Sequence, residues 1–432
     1  MPNFSIPLSG LTAESTALSA IANNLSNQNT TGYKDTSVLF SDLFYQSLGT
    51  TGAGDPIQVG AGTQVGSMPS LFTQGSVSAT GVPTDVAIQG AGFFAVQNSS
   101  GVIDYTRAGD FSELNDYLVT SSGQQVLGYP ASNGVVNTSA GIAPLQLGAG
   151  TISPPTETGN VQLTLNLNSS TASTDPSFST PIQIYDSLGG SHTLTCTFTN
   201  TGANAWNYSL SIPSADLSPV TSGNPPVTTQ PTGVLATGTL TFNGNGVLVG
   251  DTATTGGTVT GALSNITGIP ITGLADGATN MTFNWNVLNG AAPVITQVAA
   301  PDNTTSADQD GSSSGSLVNF AIGSDGTITG SFSNGKTQAL GQIALASFSN
   351  NNGLQLDGST DFSPTLASGP AVVGIPGAGE LGTLSGGSLE LSNVDIATEF
   401  ANLIVAQRGF EADAKAVTTF DQITQDTIAL KQ

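Results

Sequence analysis

Positive charge is what this chain has least of. Lysine and arginine number 6 among 432 residues, against 29 aspartates and glutamates, for a formal net charge of −23. A surface this acidic, with no basic cluster to offset it, repels phosphate backbones and excludes nucleic-acid binding as the main task. It is equally unsuited to anionic membrane surfaces. The single cysteine, Cys196, excludes an internal disulfide framework. It sits in Thr193-Leu194-Thr195-Cys196-Thr197-Phe198, where strand alternation puts it on the apolar face beside Leu194 and Phe198. No apolar run reaches the roughly 18 residues of a membrane-spanning helix, so no membrane insertion is expected. The opening MPNFSIPLSG has neither a basic n-region nor an apolar h-region, so no cleaved signal peptide is expected.

Catalytic equipment is equally scarce. His192 is the only histidine and stands beside no G-x-S-x-G element, which leaves a Ser/His/Asp site without a base. Gly377-Ala378-Gly379-Glu380-Leu381-Gly382 fits GxGxxG, but no helix opens after it, so it is read as a loop. Asp308-Gln309-Asp310-Gly311 resembles part of a calcium loop, yet Ser306 lacks the first carboxylate and no glutamate closes it. Paired carboxylates could serve a secreted polysaccharide-active enzyme, but only Trp206 and Trp285 are available as tryptophan sugar platforms. No catalytic, cofactor-binding or metal site is expected, and the chain is read as a non-enzyme.

What the sequence does contain is patterned at its two ends. In Ser392–Leu430, Ile396, Phe400, Leu403, Gln407, Phe410, Ala414 and Val417 alternate steps of four and three. After a slip the series resumes at Phe420, Ile423, Thr427 and Leu430. A repeat near 3.5 residues lays one stripe along a long helix. Ser392 and Asp395 predict a capping box at its start. The N-terminal stretch repeats the pattern at Leu8, Leu11, Ser15, Leu18, Ala22 and Leu25. Two narrow seams at opposite ends predict a coiled-coil pair between the termini. Their small and polar members make an isolated pair weak, so neighbouring copies are expected to complete the packing, and the termini to be disordered in a free subunit.

Between the ends the reading is mainly β. Val161, Leu163, Leu165 and Leu167 alternate with polar residues, as in a half-buried strand. Residues 303–315 (NTTSADQDGSSSG) read as polar and flexible. The expected class is α+β, mainly β, with discontinuous β-domains nested between terminal coiled-coil helices. Residues 1–28 plus 392–432 are assigned to the helical domain and 29–73 plus 370–391 to an irregular connector. An inner β-domain takes 74–150 plus 301–369, and an outer one 151–300.

Several ordered motifs support a family resemblance. They are Leu8-Ser9-Gly10-Leu11 through Asn29-Thr30-Thr31-Gly32-Tyr33-Lys34, Phe72-Thr73-Gln74-Gly75, Tyr105-Thr106-Arg107-Ala108-Gly109-Asp110-Phe111, and Ala406-Gln407-Arg408-Gly409-Phe410-Glu411-Ala412. Together they resemble the bacterial flagellar axial family of rod and hook proteins. Ile184-Tyr185-Asp186-Ser187-Leu188-Gly189 with His192, Phe332–Lys336 and Leu340–Leu345 are similar to the hook branch rather than to the distal rod.

That resemblance implies a structural subunit of the hook, the flexible universal joint that transmits motor torque from rod to filament. A distal-rod subunit is the alternative. It also implies polymerisation with itself and contact with the distal rod, hook cap and hook–filament junction proteins. The subunit would reach the cell exterior through the flagellar type III export apparatus. Self-assembly would fall to Leu8, Leu11, Leu18, Leu25, Ile396, Phe400, Leu403, Phe410, Val417 and Ile423, and Phe4 with Leu8 fits an export-gate motif.

Overall fold

The computed structural model describes residues 5–51, 55–132, 134–147, 152–170, 177–202, 204–222 and 227–429. Among them two α-helices bracket a β-rich interior: α1 spans Ser5–Ser26 and α2 spans Ile396–Ala429. The chain divides into two compact units. The first holds Met1–Thr151, Asn319–Ser331 and Thr337–Gln432; the second holds Ile152–Val318 and Phe332–Lys336.

The body of the first unit is an antiparallel sheet. Strand Phe93–Gln97 lies between Gln125–Ser132 and Ile103–Thr106, with Phe94 opposite Thr106 and Val126 opposite Val96. Both faces of that strand are covered. Phe94 and Val96 join Val86, Ile88, Phe111 and Ile343 on one side, while Phe93 and Ala95 join Tyr105, Leu127 and Phe362 on the other. This explains why Gly92-Phe93-Phe94-Ala95-Val96 is a continuous apolar run instead of an alternation. Phe72 packs on this second face, its ring centroid 5.5 Å from that of Phe93.

The second unit is a sandwich with one core. One sheet is the antiparallel series Phe178–Tyr185, Ser191–Gly202, Ala205–Ser211, Val234–Phe242 and Leu248–Thr255. The other is built on Asn160–Asn168, which pairs in parallel with Met281–Asn286 and Ile295–Val298 and antiparallel with Asn303–Gln309. Alternation along each strand turns Leu163, Leu165, Leu194, Cys196 and Phe198 into the shared core. Both tryptophans are buried there, with Trp285 edge-on to Tyr208 at 5.0 Å.

Three sequence expectations are corrected. Asn303–Gln309 is an edge strand, not a flexible segment; backbone pairing with Asn160–Asn168 holds it although it contributes no large apolar side chain. The connector after α1 is not irregular either. Leu39–Asp42 pairs with Thr63–Ser67, and Gln46–Thr50 with Pro56–Val59. Its aromatics are exposed: Phe44 is 97% accessible, and Phe40 and Tyr45 are also exposed. Finally, the cap of α2 is Asp395 rather than Ser392. Asp395 Oδ1 accepts from the amides of Ala397 and Thr398 at 2.8 and 3.2 Å, whereas Ser392 Oγ accepts from Val394 before the helix starts.

Candidate assembly surface at the paired termini

α1 and α2 pack against each other through small residues. On α1 the buried positions are Pro7, Gly10, Ala13, Ala17, Ala20 and Asn24, spaced by threes and fours. Glu399 and Ala406 are the buried positions of α2. Glycine makes room for a carboxylate on each side of the crossing. A side chain at Gly10 would strike the Asp413 carboxylate, and one at Gly409 would lie 2.9 Å from Glu14 Oε1. The seam is thus offset from the one read in the sequence, because close approach selects for small side chains while the period alone cannot separate two adjacent stripes.

The larger apolar residues consequently lie beside the seam or away from it. Leu8, Ile396, Phe400 and Ile423 are exposed, and Leu11, Leu18 and Leu25 are half-buried. Leu403, Phe410 and Val417 are also half-buried. At about 100° per residue these three lie within roughly 60° of Ala406, so they flank the seam, whereas Phe400 and Ile404 point away from it. Phe4 lies outside the described residues.

Polar knots secure the root of the helix pair. Asn24 donates from Nδ2 to Thr36 O and to Glu399 Oε2 at 3.0 and 3.2 Å, and accepts from Tyr33 Oη at 3.0 Å. Burial, and then the charge of Glu399, raises the Asp35 carboxyl above its usual range. Across the crossing, burial followed by the charge of Asp413 raises Glu14 likewise. Each is an acid beside an acid.

A second knot was not foreseen. The Glu390 carboxylate is fully buried and meets Lys34 Nζ at 2.6 Å and Arg107 Nη1 at 3.2 Å. Oε1 also accepts from the Gly75 amide at 2.9 Å. Lys34 Nζ donates further to Thr73 O, and Arg107 Nη2 to Gly90 O. Burial lowers the pKa of both cations, and Glu390 acts against that loss. The triad ties the segment leaving α1, the strand leading to α2 and the first unit's sheet to one point. Its sequence signal was only that two of the six scarce cations fall here, each near an aspartate in the chain that turns out not to be its partner.

The groups considered for chemistry make contacts within the fold. His192 Nε2 lies 2.9 Å from Asp186 Oδ2, Nδ1 lies 3.0 Å from Asp216 Oδ2, and Asp276 Oδ2 is 3.8 Å away. Burial pushes the ring pKa down, but the bonds to Asp186 and Asp216 outweigh it and hold the pKa above its ordinary value. When protonated, a ring held between two carboxylates has no lone pair for general-base work. Asp310 Oδ1 accepts from the Gly159 and Asn160 amides at 2.8 and 2.9 Å, a loop pin. Gly377–Gly382 is a turn followed by strand Thr383–Gly386.

Comparison with known proteins accounts for this arrangement. Family profiles match in chain order: "Flagella basal body rod protein" over 6–34 and "Flagellar hook protein FlgE/F/G D1 domain" over 87–168. "Flagellar basal body protein FlaE D2 domain" follows over 166–312, and "Flagellar basal body rod FlgEFG protein C-terminal" over 385–430. The flagellar hook protein FlgE of Salmonella typhimurium strain LT2 is 36% identical over 447 residues, covering 99% of this chain and 100% of its own length. The chain belongs to the flagellar hook protein family. Another hook protein, from Escherichia coli K12, is 35% identical over 99% of this chain and 100% of its own. The hook protein of Treponema pallidum is 32% identical over 98% of both. The crystal structure of Helicobacter pylori hook protein FlgE2 aligns with a TM-score of 0.47 at 14% identity, over 72% of this chain and 100% of that one. In the hook family's terms, the paired termini are the two regions matched by the rod-type profiles.

Proposed function

We propose that this chain is the structural subunit that polymerises into the bacterial flagellar hook, the joint that carries motor torque from rod to filament. One observation supports this most: both terminal helices use their small residues on each other and leave Leu8, Phe400 and Ile404 exposed. Exposed apolar rows on a strongly acidic chain are costly in a solitary molecule and useful in a lateral array. The exposed aromatics of the connector, Phe40, Phe44 and Tyr45, extend the same argument.

In this reading the terminal helices build the inner layer of the tube, and the β-units form outer layers. Their surfaces, in a chain with only 8% charged residues, slide past each other as the hook bends. Residues 1–28 plus 392–432 serve as core and 29–73 plus 370–391 as connector, while the first unit's sheet serves as inner domain and the second unit, Ile152–Val318 with Phe332–Lys336, as outer domain. The subunit leaves the cell through the type III export apparatus, with Phe4 and Leu8 presented to the gate, and works outside it. It meets further copies of itself, the distal rod, the hook cap and the hook–filament junction, and it acts without catalysis. The relatives matched end to end are named as hook proteins, which favours the hook over the rod. Electron microscopy of basal bodies from cells lacking the gene tests the reading. Rods without hooks are expected; intact hooks would refute it.

A further inference from the structure

The first unit contains a groove of about 400 Å³ between α1, α2 and the segment that follows α1. Ile21, Val38 and Phe40 contribute to its apolar wall, and its charged groups are Glu14, Asp35 and Glu399. No lysine or arginine lines it. Asp35 Oδ1 is buried there without a hydrogen-bond donor. Acid thus meets acid at both ends of the groove, Glu14 near Asp413 and Asp35 near Glu399, and burial raises the pKa of Glu14 and of Asp35. A cation placed in the groove would relieve both contacts.

The chain has few cations to offer. Of its six lysines and arginines, Lys34 and Arg107 are committed to Glu390 inside the first unit. Lys336 donates to the Asp310 carbonyl in the second unit, and Lys431 lies outside the described residues. Arg408 and Lys415 remain, seven residues apart on one face of α2. Arg408 is 78% exposed by side chain and pairs with Glu411, at 3.0 Å, in an exposed i,i+3 contact. At about 100° per residue Arg408 stands roughly 180° round the helix from Glu399 and 200° from Ala406, so it points away from the groove of its own chain.

We infer that the groove receives the Arg408–Lys415 ridge of α2 from a second copy of this chain, which fixes how neighbouring helix pairs are set against each other. This rests on the reading of the chain as a polymer subunit. Copies carrying −23 each repel at a distance, so the contact that joins them must match opposite charge locally, and this groove and this ridge are the match the chain offers.

Cysteine cross-linking on the full chain tests it, because native Cys196 is fully buried and does not compete. Copies carrying Ser37→Cys at the groove wall are mixed with copies carrying Arg408→Cys and assembled under oxidising conditions. Assembly is followed by sedimentation and microscopy. A disulfide-linked dimer is expected in the assembled mixture and in neither single-variant sample. Arg408→Glu should raise the concentration needed for assembly about tenfold, and Glu14→Lys in the same chain should restore it. Polymers that form without the cross-link, or an Arg408→Glu chain that assembles like the wild type, would overturn the groove assignment and leave the polymer reading standing. Wild-type chain that never polymerises would overturn both.

Discussion

Replacing Glu390 should cost the first unit more than any single change on its surface. The carboxylate neutralises Lys34 and Arg107 and accepts the Gly75 amide, all away from solvent. Glu390→Gln keeps an acceptor for Gly75 but leaves two buried cations with no counter-charge. Removing one partner of a buried pair costs about 3–5 kcal/mol. At roughly 2–4 °C per kcal/mol for a unit of this size, the melting point should fall by about 10 °C. Glu390→Ala should cost more, since the amide acceptor goes too. Lys34→Met should cost least, because it leaves Glu390 and Arg107 as a balanced pair, whereas the native triad carries one cation in excess. Scanning calorimetry of the full chain measures this, with the second unit's transition as an internal control. The ordering Ala, then Gln, then Met is the test. If Lys34→Met were as damaging as Glu390→Gln, the losses would come from packing, and the charge argument would fail.

Four other outcomes follow from the same geometry. The His192 pKa is held above its ordinary 6.5, so the clamp stabilises the second unit fully below about pH 6.5 and weakens as pH rises through the folded value. Asp186 is held below 3.8, so its contribution is lost only as pH falls below about 4; His192→Asn should flatten the alkaline limb of a melting-point profile, and an unchanged limb would count against the clamp. Burial, reinforced by Asp104 and Asp357, pushes Asp361 up to about 6. A raised carboxyl loses stability as pH climbs through that value, so Asp361→Asn should gain about 1–2 kcal/mol near pH 7.5, after allowance for solvent screening, and nothing near pH 4. Gly10→Val should displace the Asp413 carboxylate, loosen the helix pair and lower the yield of sedimentable polymer, while both calorimetric transitions of the β-units stay in place; an unchanged yield would count against close packing at this crossing. Brief proteolysis of unassembled chain should trim both termini before either β-unit; termini as resistant as the sheets would contradict a seam made chiefly of alanine.

How far the fold could be read in advance depended on side-chain size. Val161–Leu167 and Thr193–Phe198 were legible because each strand has one buried face, and period two then shows in the residues themselves. Asn303–Gln309 was not, since it is held by backbone bonds that leave no mark on composition. The Glu390 triad was hidden for another reason: its partners stand 356 and 283 residues away in the chain, and nothing local records the pairing. The terminal helices fall between these cases. Their existence, period and mutual pairing were readable, but the face each turns to the other was not. Hydrophobicity ranks Leu8, Leu11 and Phe400 above Gly10 and Ala13, and a reading by hydrophobicity puts the large residues at the nearest available seam.

The structure inverts that choice, and the inversion has an energetic meaning. Ala13, Ala17, Ala20 and Ala406 are the fully buried apolar methyls of the pair, and at about 0.8 kcal/mol per buried carbon they supply on the order of 3 kcal/mol, to which Leu11, Leu18, Leu25, Leu403, Phe410 and Val417 add only what half-burial gives. Ordering the same helices costs about 1–2 kcal/mol per residue in backbone entropy, which internal hydrogen bonds only partly offset. A pair joined by leucines would close the account within one chain and have little reason to find neighbours. By keeping Leu8, Phe400 and Ile404 exposed and six further large apolar side chains only half-buried, the helix pair has more to gain when other copies cover them. In a subunit built this way the ends are weakly held until other copies cover them, so the order of the helix pair and the growth of the polymer are linked.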